Sequence, residues 1–128
     1  MATLVATNES ARITLVGDAA GNVTFRVTKP IAQARIDLDL CELSDRRALN
    51  EFLSVLSSQQ VPWEGQIGYD ALDGSLSLEL SCDPSGHVIA QVSLNSHGCH
   101  FDTSLLTELG QVGSFGRDGL ALLGHLSC

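Results

Sequence analysis

The sequence predicts an α+β domain: an antiparallel sheet of about seven strands in meanders and hairpins, one amphipathic helix packed on a face, and a weaker C-terminal helix. Three observations predict it. Segments with period-two hydrophobic alternation recur between turn-forming clusters, one stretch switches to helical spacing, and the last residues combine regularly spaced apolar side chains with five glycines.

Arg12 to Val16 and Asn22 to Thr28 alternate, placing Ile13 and Leu15, then Val23, Phe25 and Val27, on one face. The cluster Gly17-Asp18-Ala19-Ala20-Gly21-Asn22 between them reads as a hairpin turn. Pro30 cannot donate to a ladder and stops or edges the sheet. A third strand follows, with Ala34, Ile36, Leu38 and Leu40 inward and Arg35, Asp37 and Asp39 outward.

The period changes at Ser44. Leu49, Phe52, Leu53 and Leu56 follow the i, i+3, i+4, i+7 rule, and Ser44 or Asp45 is a competent N-cap, so residues 45 to 58 are predicted helical. Alternation then returns through Ile67, Tyr69 and Ala71, the turn Asp73-Gly74, and Leu76, Leu78, Leu80 and Cys82. Asp83-Pro84-Ser85-Gly86 carries Asp, Pro and Gly at the first, second and fourth positions of a type I turn. Val88, Ala90, Val92 and Leu94 return, Asn95-Ser96-His97-Gly98 turns, and Cys99 to Glu108 resumes the meander, with Leu94 expected opposite Cys99. In the tail, Val112, Phe115, Leu120, Leu122 and Leu123 line up as a helical face. Interior glycines cost about 0.5 to 1 kcal/mol each there, so packing must support it.

With 128 residues, 44% hydrophobic and 17% charged, and no linker or repeat, the chain is predicted to form a single domain, 1–128, with a core that needs no staples. Seven Lys+Arg against fifteen Asp+Glu give a net charge of −8, which argues against nucleic acid and acidic membrane surfaces as direct ligands. No stretch approaches the ~20 apolar residues of a membrane span. Met1 to Ser10 lacks the basic and apolar regions of a signal peptide, which predicts a cytoplasmic chain with reduced thiols. Cys41, Cys82, Cys99 and Cys128 include no C-x-x-C, so neither a disulfide framework nor a zinc ribbon is indicated.

His97, Cys99 and His100, with Cys82 and His87, offer zinc-type ligands. In a meander the two groups sit at opposite strand ends, roughly 20 Å apart, and Cys99 and His100 point to opposite faces. No metal or other cofactor is therefore expected, although a small-ligand or metal-binding module around His97, Cys99 and His100 is the competing reading. A His100–Asp102 pair shares one strand face, but no G-x-S-x-G elbow or phosphate-binding glycine motif accompanies it, and the chain is not predicted to be an enzyme. Trp63, the single indole, reads as a core plug at the helix-to-strand junction.

The run Trp63-Glu64-Gly65, Tyr69-Asp70-Ala71-Leu72-Asp73-Gly74, Leu76, Leu78 and Asp83-Pro84-Ser85-Gly86-His87-Val88 resembles the WapI-type immunity proteins. In those small bacterial domains W-x-G, a hairpin with alternating leucines and D-x-x-G-H-V follow a Phe/Leu-rich helix. The likeness covers about residues 32 to 109 and is sharpest at the Asp83-to-Val88 turn. It implies a non-catalytic protein that neutralises a cognate polymorphic toxin, such as a basic nuclease domain, by direct binding. Trp63, Gly65, Gly86 and His87 are structural in that pattern. Physically, an acidic surface suits a basic partner, with complementary charge raising the on-rate and an apolar anchor supplying residence time. The candidate toxin-binding carboxylates are Asp37, Asp39, Glu42, Asp45, Asp70, Asp73, Glu79 and Asp83.

Overall fold

The computed structural model describes residues 1–7, 11–17, 22–30, 32–39, 43–71, 73–96 and 98–125. The chain runs four strands and a helix, twice: β1 (Ala2–Val5), β2 (Arg12–Gly17), β3 (Asn22–Lys29), β4 (Ala32–Asp39) and α1 (Leu43–Ser57), then β5 (Gln66–Asp70), β6 (Leu76–Cys82), β7 (His87–Ser96), β8 (Cys99–Glu108) and α2 (Leu109–Gly124). The α+β class and the antiparallel pairing are those predicted. The single sheet of about seven strands is not what forms: there are two antiparallel meanders, ordered β1-β2-β3-β4 and β5-β6-β7-β8.

Two features account for the difference. Ala2–Val5 is an eighth strand, whose four residues are too few for a period to be visible, yet Ala2 and Leu4 are buried and pair opposite Leu15 and Ile13. In addition, α1 carries the chain away from β4, so β5 starts a new ladder on β6 instead of extending the first sheet.

Each sheet buries one face. Leu4, Ile13, Leu15, Val23, Phe25, Val27 and Leu38 from the first, and Tyr69, Leu78, Leu80, Val88, Ala90, Val92 and Leu105 from the second, join one core with Leu49, Phe52, Leu53 and Leu56 of α1 and Phe115 of α2. Fully burying such a side chain is worth about 1.5–3 kcal/mol, so the facing rows hold the layers together. The ring of Phe52 lies 6.1 Å from that of Tyr69, tying α1 to β5.

The glycine-rich tail is a sixteen-residue helix, and two of its five glycines, Gly116 and Gly119, meet α1. A Cβ on Gly116 would stand 2.6 Å from the Ser57 amide nitrogen and 2.7 Å from the Leu53 carbonyl. Backbone therefore approaches backbone at this crossing, and the entropic cost of glycine is offset by close packing. The ends of α2 are tied too. Leu109 N–H donates to the Gly86 carbonyl at 3.2 Å, and an Arg46 guanidinium N–H donates to the Leu123 carbonyl at 2.8 Å, where a cation suits the helix C-terminus.

The register at the β7–β8 hairpin differs from expectation by two residues. Leu94 pairs with Phe101 and Ser96 with Cys99, the turn passing through Gly98 at φ +80°. The turn Asp83-Pro84-Ser85-Gly86 forms as predicted: Gly86 N–H bonds the Asp83 carbonyl at 3.1 Å, with Gly86 at φ +88°, a value open to glycine, whereas most of the predicted turn from Gly17 to Asn22 lies outside the described residues. The first helix begins at Leu43, two residues before the predicted start.

Candidate functional site on the second sheet

Strand alternation sends Asp70, Ser77, Glu79, Ser81, Ile89, Gln91, Ser93, Asp102, Ser104, Leu106 and Glu108 to the outer face of the second sheet, opposite the core. Register assembles them into rows. Ser77, Ser93 and Asp102 form one; Glu79, Gln91 and Ser104 the next; Ser81, Ile89 and Leu106 the third. The short serines leave a shallow open depression of about 480 Å³, bordered by Glu79, Gln91 and Asp102. Beside it Ile89 and Leu106 are direct cross-strand partners and stand 45% and 40% exposed, an apolar pair on a polar face.

Electrostatics set this face apart. No Lys or Arg occurs between Arg47 and Arg117, so β5 to β8 carry carboxylates and no permanent cation. Residues 1–47 hold six acidic and six basic side chains, whereas residues 48–128 hold nine acidic and one basic. The whole net charge of −8 thus belongs to the second part of the chain. The division falls within α1, between the two meanders, and total charge alone does not show it.

At one end of the face His100 bridges two side chains, Nδ1 to Asn95 Oδ1 and Nε2 to Asp102 Oδ2, the latter at 2.6 Å. Hydrogen bonds from Ser93 and then His100 hold the Asp102 carboxyl below its usual range. The order is Ser93, Asp102, His100, Asn95. Asp102 lies between the hydroxyl and the imidazole, so His100 does not contact Ser93 as a base contacts its nucleophile. The arrangement suits holding Asp102 ionised at a fixed position.

The structure divides the eight predicted carboxylates. Asp70 and Glu79 lie on the outer face of the second sheet. Asp73 and Asp83 occupy the turns at the two ends of β6 and organise them: Asp73 Oδ1 accepts the Ser75 N–H at 3.0 Å, and Asp83 Oδ1 accepts those of Ser85 and His87 at 2.9 and 3.0 Å. These bonds hold both carboxyls below the ordinary value of 3.8, the Ser75 side-chain bond leading for Asp73 and the His87 backbone bond for Asp83. Asp37 belongs to the first sheet's outer face, where Thr24 Oγ1 donates to it at 2.7 Å. Glu42 and the side chains of Asp39 and Asp45 lie outside the described residues. The residues that the sequence reading missed are Asp102 as an anchor of the face and the Ile89–Leu106 pair, which only register brings together.

Among the candidate metal ligands, His97 lies outside the described residues, and Cys99 and His100 are exposed on neighbouring positions of β8. Cys82 pairs with Val88 and His87 with Glu108, at the far end of β7 from Ser96 and Cys99. No group of three or more His, Cys, Asp or Glu is placed to hold a metal ion among the described residues. Trp63 is half-buried against the core, its Nε1 buried without a hydrogen-bond partner among the described residues. No helix among the described residues is long and apolar enough to cross a membrane.

No protein-family model matches the chain, and no curated protein matches it. Among solved structures, a chain from the crystal structures of Trypanosoma bruciei MRP1/MRP2 is similar, with a TM-score of 0.55, 11% sequence identity, and coverage of 96% of this chain and 82% of that one. At that identity the likeness concerns the fold.

Proposed function

We propose that this chain is a non-enzymatic, immunity-type binding protein that neutralises a basic toxin domain by covering it with the outer face of the second sheet. One observation carries the reading: carboxylates Glu79 and Asp102 border a serine-floored depression beside the exposed Ile89–Leu106 pair, on strands that contain no Lys or Arg, with Lys29 of β3 bound at its rim to the Thr103 hydroxyl and the Ser104 carbonyl. A partner's lysine or arginine enters the depression between Glu79 and Asp102. Ile89 and Leu106 supply the apolar contact that slows release, and the surrounding negative field steers encounter. The cadence from Trp63 to Val88, on which the likeness to WapI-type proteins rests, builds the same sheet.

The test is titration calorimetry with basic nuclease-type toxin domains, any one encoded next to this chain first, followed by stopped-flow association. We expect 1:1 binding weakened by salt, and an on-rate reduced at least tenfold at low salt in Glu79→Lys with Asp102→Lys. Asp37→Lys, on the other sheet, is expected to leave the rate within twofold. Absence of heat at low and high salt, with both proteins folded, would reject the reading.

A further inference from the structure

The outer face of the first sheet is rich in arginine, although Asp37, held by Thr24, stands on it too, one row from Arg26 and Arg35. Thr3, Thr14, Arg26 and Arg35 form one cross-strand row, and Val5, Arg12, Thr28 and Gln33 the next. Three of the seven cations of a chain with fifteen carboxylates are thus grouped on one face. Arg12, Arg26 and Arg35 make no ion pair among the described residues, and Arg26 Nε is buried without a hydrogen-bond partner there. Arg26 and Arg35 stand directly opposite each other on β3 and β4, where like charges destabilise a sheet. No ion pair among the described residues offsets that repulsion, and an anionic surface docked on this face would relieve it.

We infer that this arginine face docks on the acidic outer face of the second sheet of another copy of the same chain. The two faces look away from a common core, so one molecule cannot close them on each other. Their spacings match. Arg12 on β2 and Arg35 on β4 are two strands across and two residues along from each other, as are Glu79 on β6 and Asp102 on β8, about 12 Å in each case at the usual strand separation and rise. Arg26 on the intervening strand then faces Gln91 and Ser93 of β7, which offer acceptors to its free N–H groups. The arginine face carries no aromatic side chain among the described residues, so base stacking of a single-stranded nucleic acid finds no platform there.

The contact is weak. Four strands of up to eight residues give roughly 500 Å² per face, at the small end of specific interfaces, and the net charges of two copies repel. Because the two patches differ, the contact is head-to-tail and adds copies without closing on a dimer. It covers the face assigned to the toxin, so assembly and toxin binding exclude each other; the assembly itself requires no toxin.

Sedimentation velocity on the full chain tests this without any toxin. At low salt the weight-average sedimentation coefficient is expected to climb with concentration past the dimer, and to return to the monomer value at high salt. Two variants each disable one face: Arg12→Gln with Arg26→Gln and Arg35→Gln, and Glu79→Gln with Asp102→Asn. Each alone is expected to stay monomeric. Their equimolar mixture is expected to form heterodimers that stop at two, because one working face of each kind remains. If the triple variant proves unfolded by circular dichroism, Arg35→Gln alone, exposed on the edge strand, is expected to weaken association at least severalfold. A monomeric wild type at high concentration and low salt would overturn the inference, as would undiminished association of a folded arginine variant or a monomeric mixture.

Discussion

At the scale of single residues, Gly116 is the most exacting position. Its missing Cβ is the space through which α2 meets the α1 backbone at Leu53 and Ser57. Gly116→Ala gains about 1 kcal/mol of helix propensity but forces the two backbones apart, an overpacking cost of about 1–3 kcal/mol. The expected outcome is a net loss of up to about 2 kcal/mol in urea unfolding. Gly110→Ala on the same helix meets open space and should instead be neutral or stabilising, by up to about 1 kcal/mol. A second residue-scale prediction concerns Asp83. Its carboxylate accepts two turn amides, and its pKa is held below 3.8, so the folded state binds this proton less readily than the unfolded state. The stabilisation it gives is therefore present at neutral pH and lost as pH falls below the ordinary carboxylate range. Carbon-detected NMR titration should place the Asp83 midpoint below 3.8, and Asp83→Asn should abolish that acid-side difference in turn protection.

At the scale of elements, the second sheet's free edge shows how the two meanders are joined. β8 is the edge strand among the described residues, and its Leu106 carbonyl accepts the Thr7 N–H at 2.8 Å while Lys29 Nζ donates to Thr103 Oγ1 at 3.0 Å. The fully buried Thr107 hydroxyl donates back to the Val5 carbonyl at 2.8 Å. Thr107→Val removes that donor without changing shape and leaves the carbonyl unsatisfied, so a loss of about 1–3 kcal/mol is expected. Hydrogen exchange at Thr7 should quicken in the variant, while exchange in β6 should change only with global stability. Sequence reached most of this level but not all of it. The hairpins were legible because Asp73-Gly74 and Asp83-Pro84-Ser85-Gly86 state their turns chemically, and α1 because Leu49, Phe52, Leu53 and Leu56 keep helical spacing. Period-two patterning says which residues share a face but not which strand lies alongside, so the division into two sheets and the Leu94–Phe101 register were hidden. In α2, glycines that read as weakness in isolation are the close-approach surface of a helix pair, a fact that resides in α1 and not in the tail.

At the scale of the whole molecule, the fold turns an uneven charge distribution into two unlike surfaces, and the same reasoning predicts how salt acts on stability. Residues 48–128 carry nine acidic side chains against Arg117 alone, and those on the second sheet share one outer face without a permanent cation. Their mutual repulsion is present in the folded state and reduced in the expanded chain, so it opposes folding. Raising ionic strength from about 0.01 to 0.15 M shortens the Debye length from roughly 30 to 8 Å, which screens carboxylates one or two strands apart. The melting temperature should therefore rise with sodium chloride over that range. Asp70→Asn with Glu79→Gln, which removes two of these charges from positions without an ion pair among the described residues, should raise the low-salt melting temperature and flatten its dependence on salt. A melting temperature that falls with salt would mean that native ion pairs outweigh the repulsion. The repulsion would then no longer explain why this face gains from a cationic partner. A rise in the wild type with the flattened variant would show that the carboxylate face carries a cost in the free protein, relieved when positive charge docks on it.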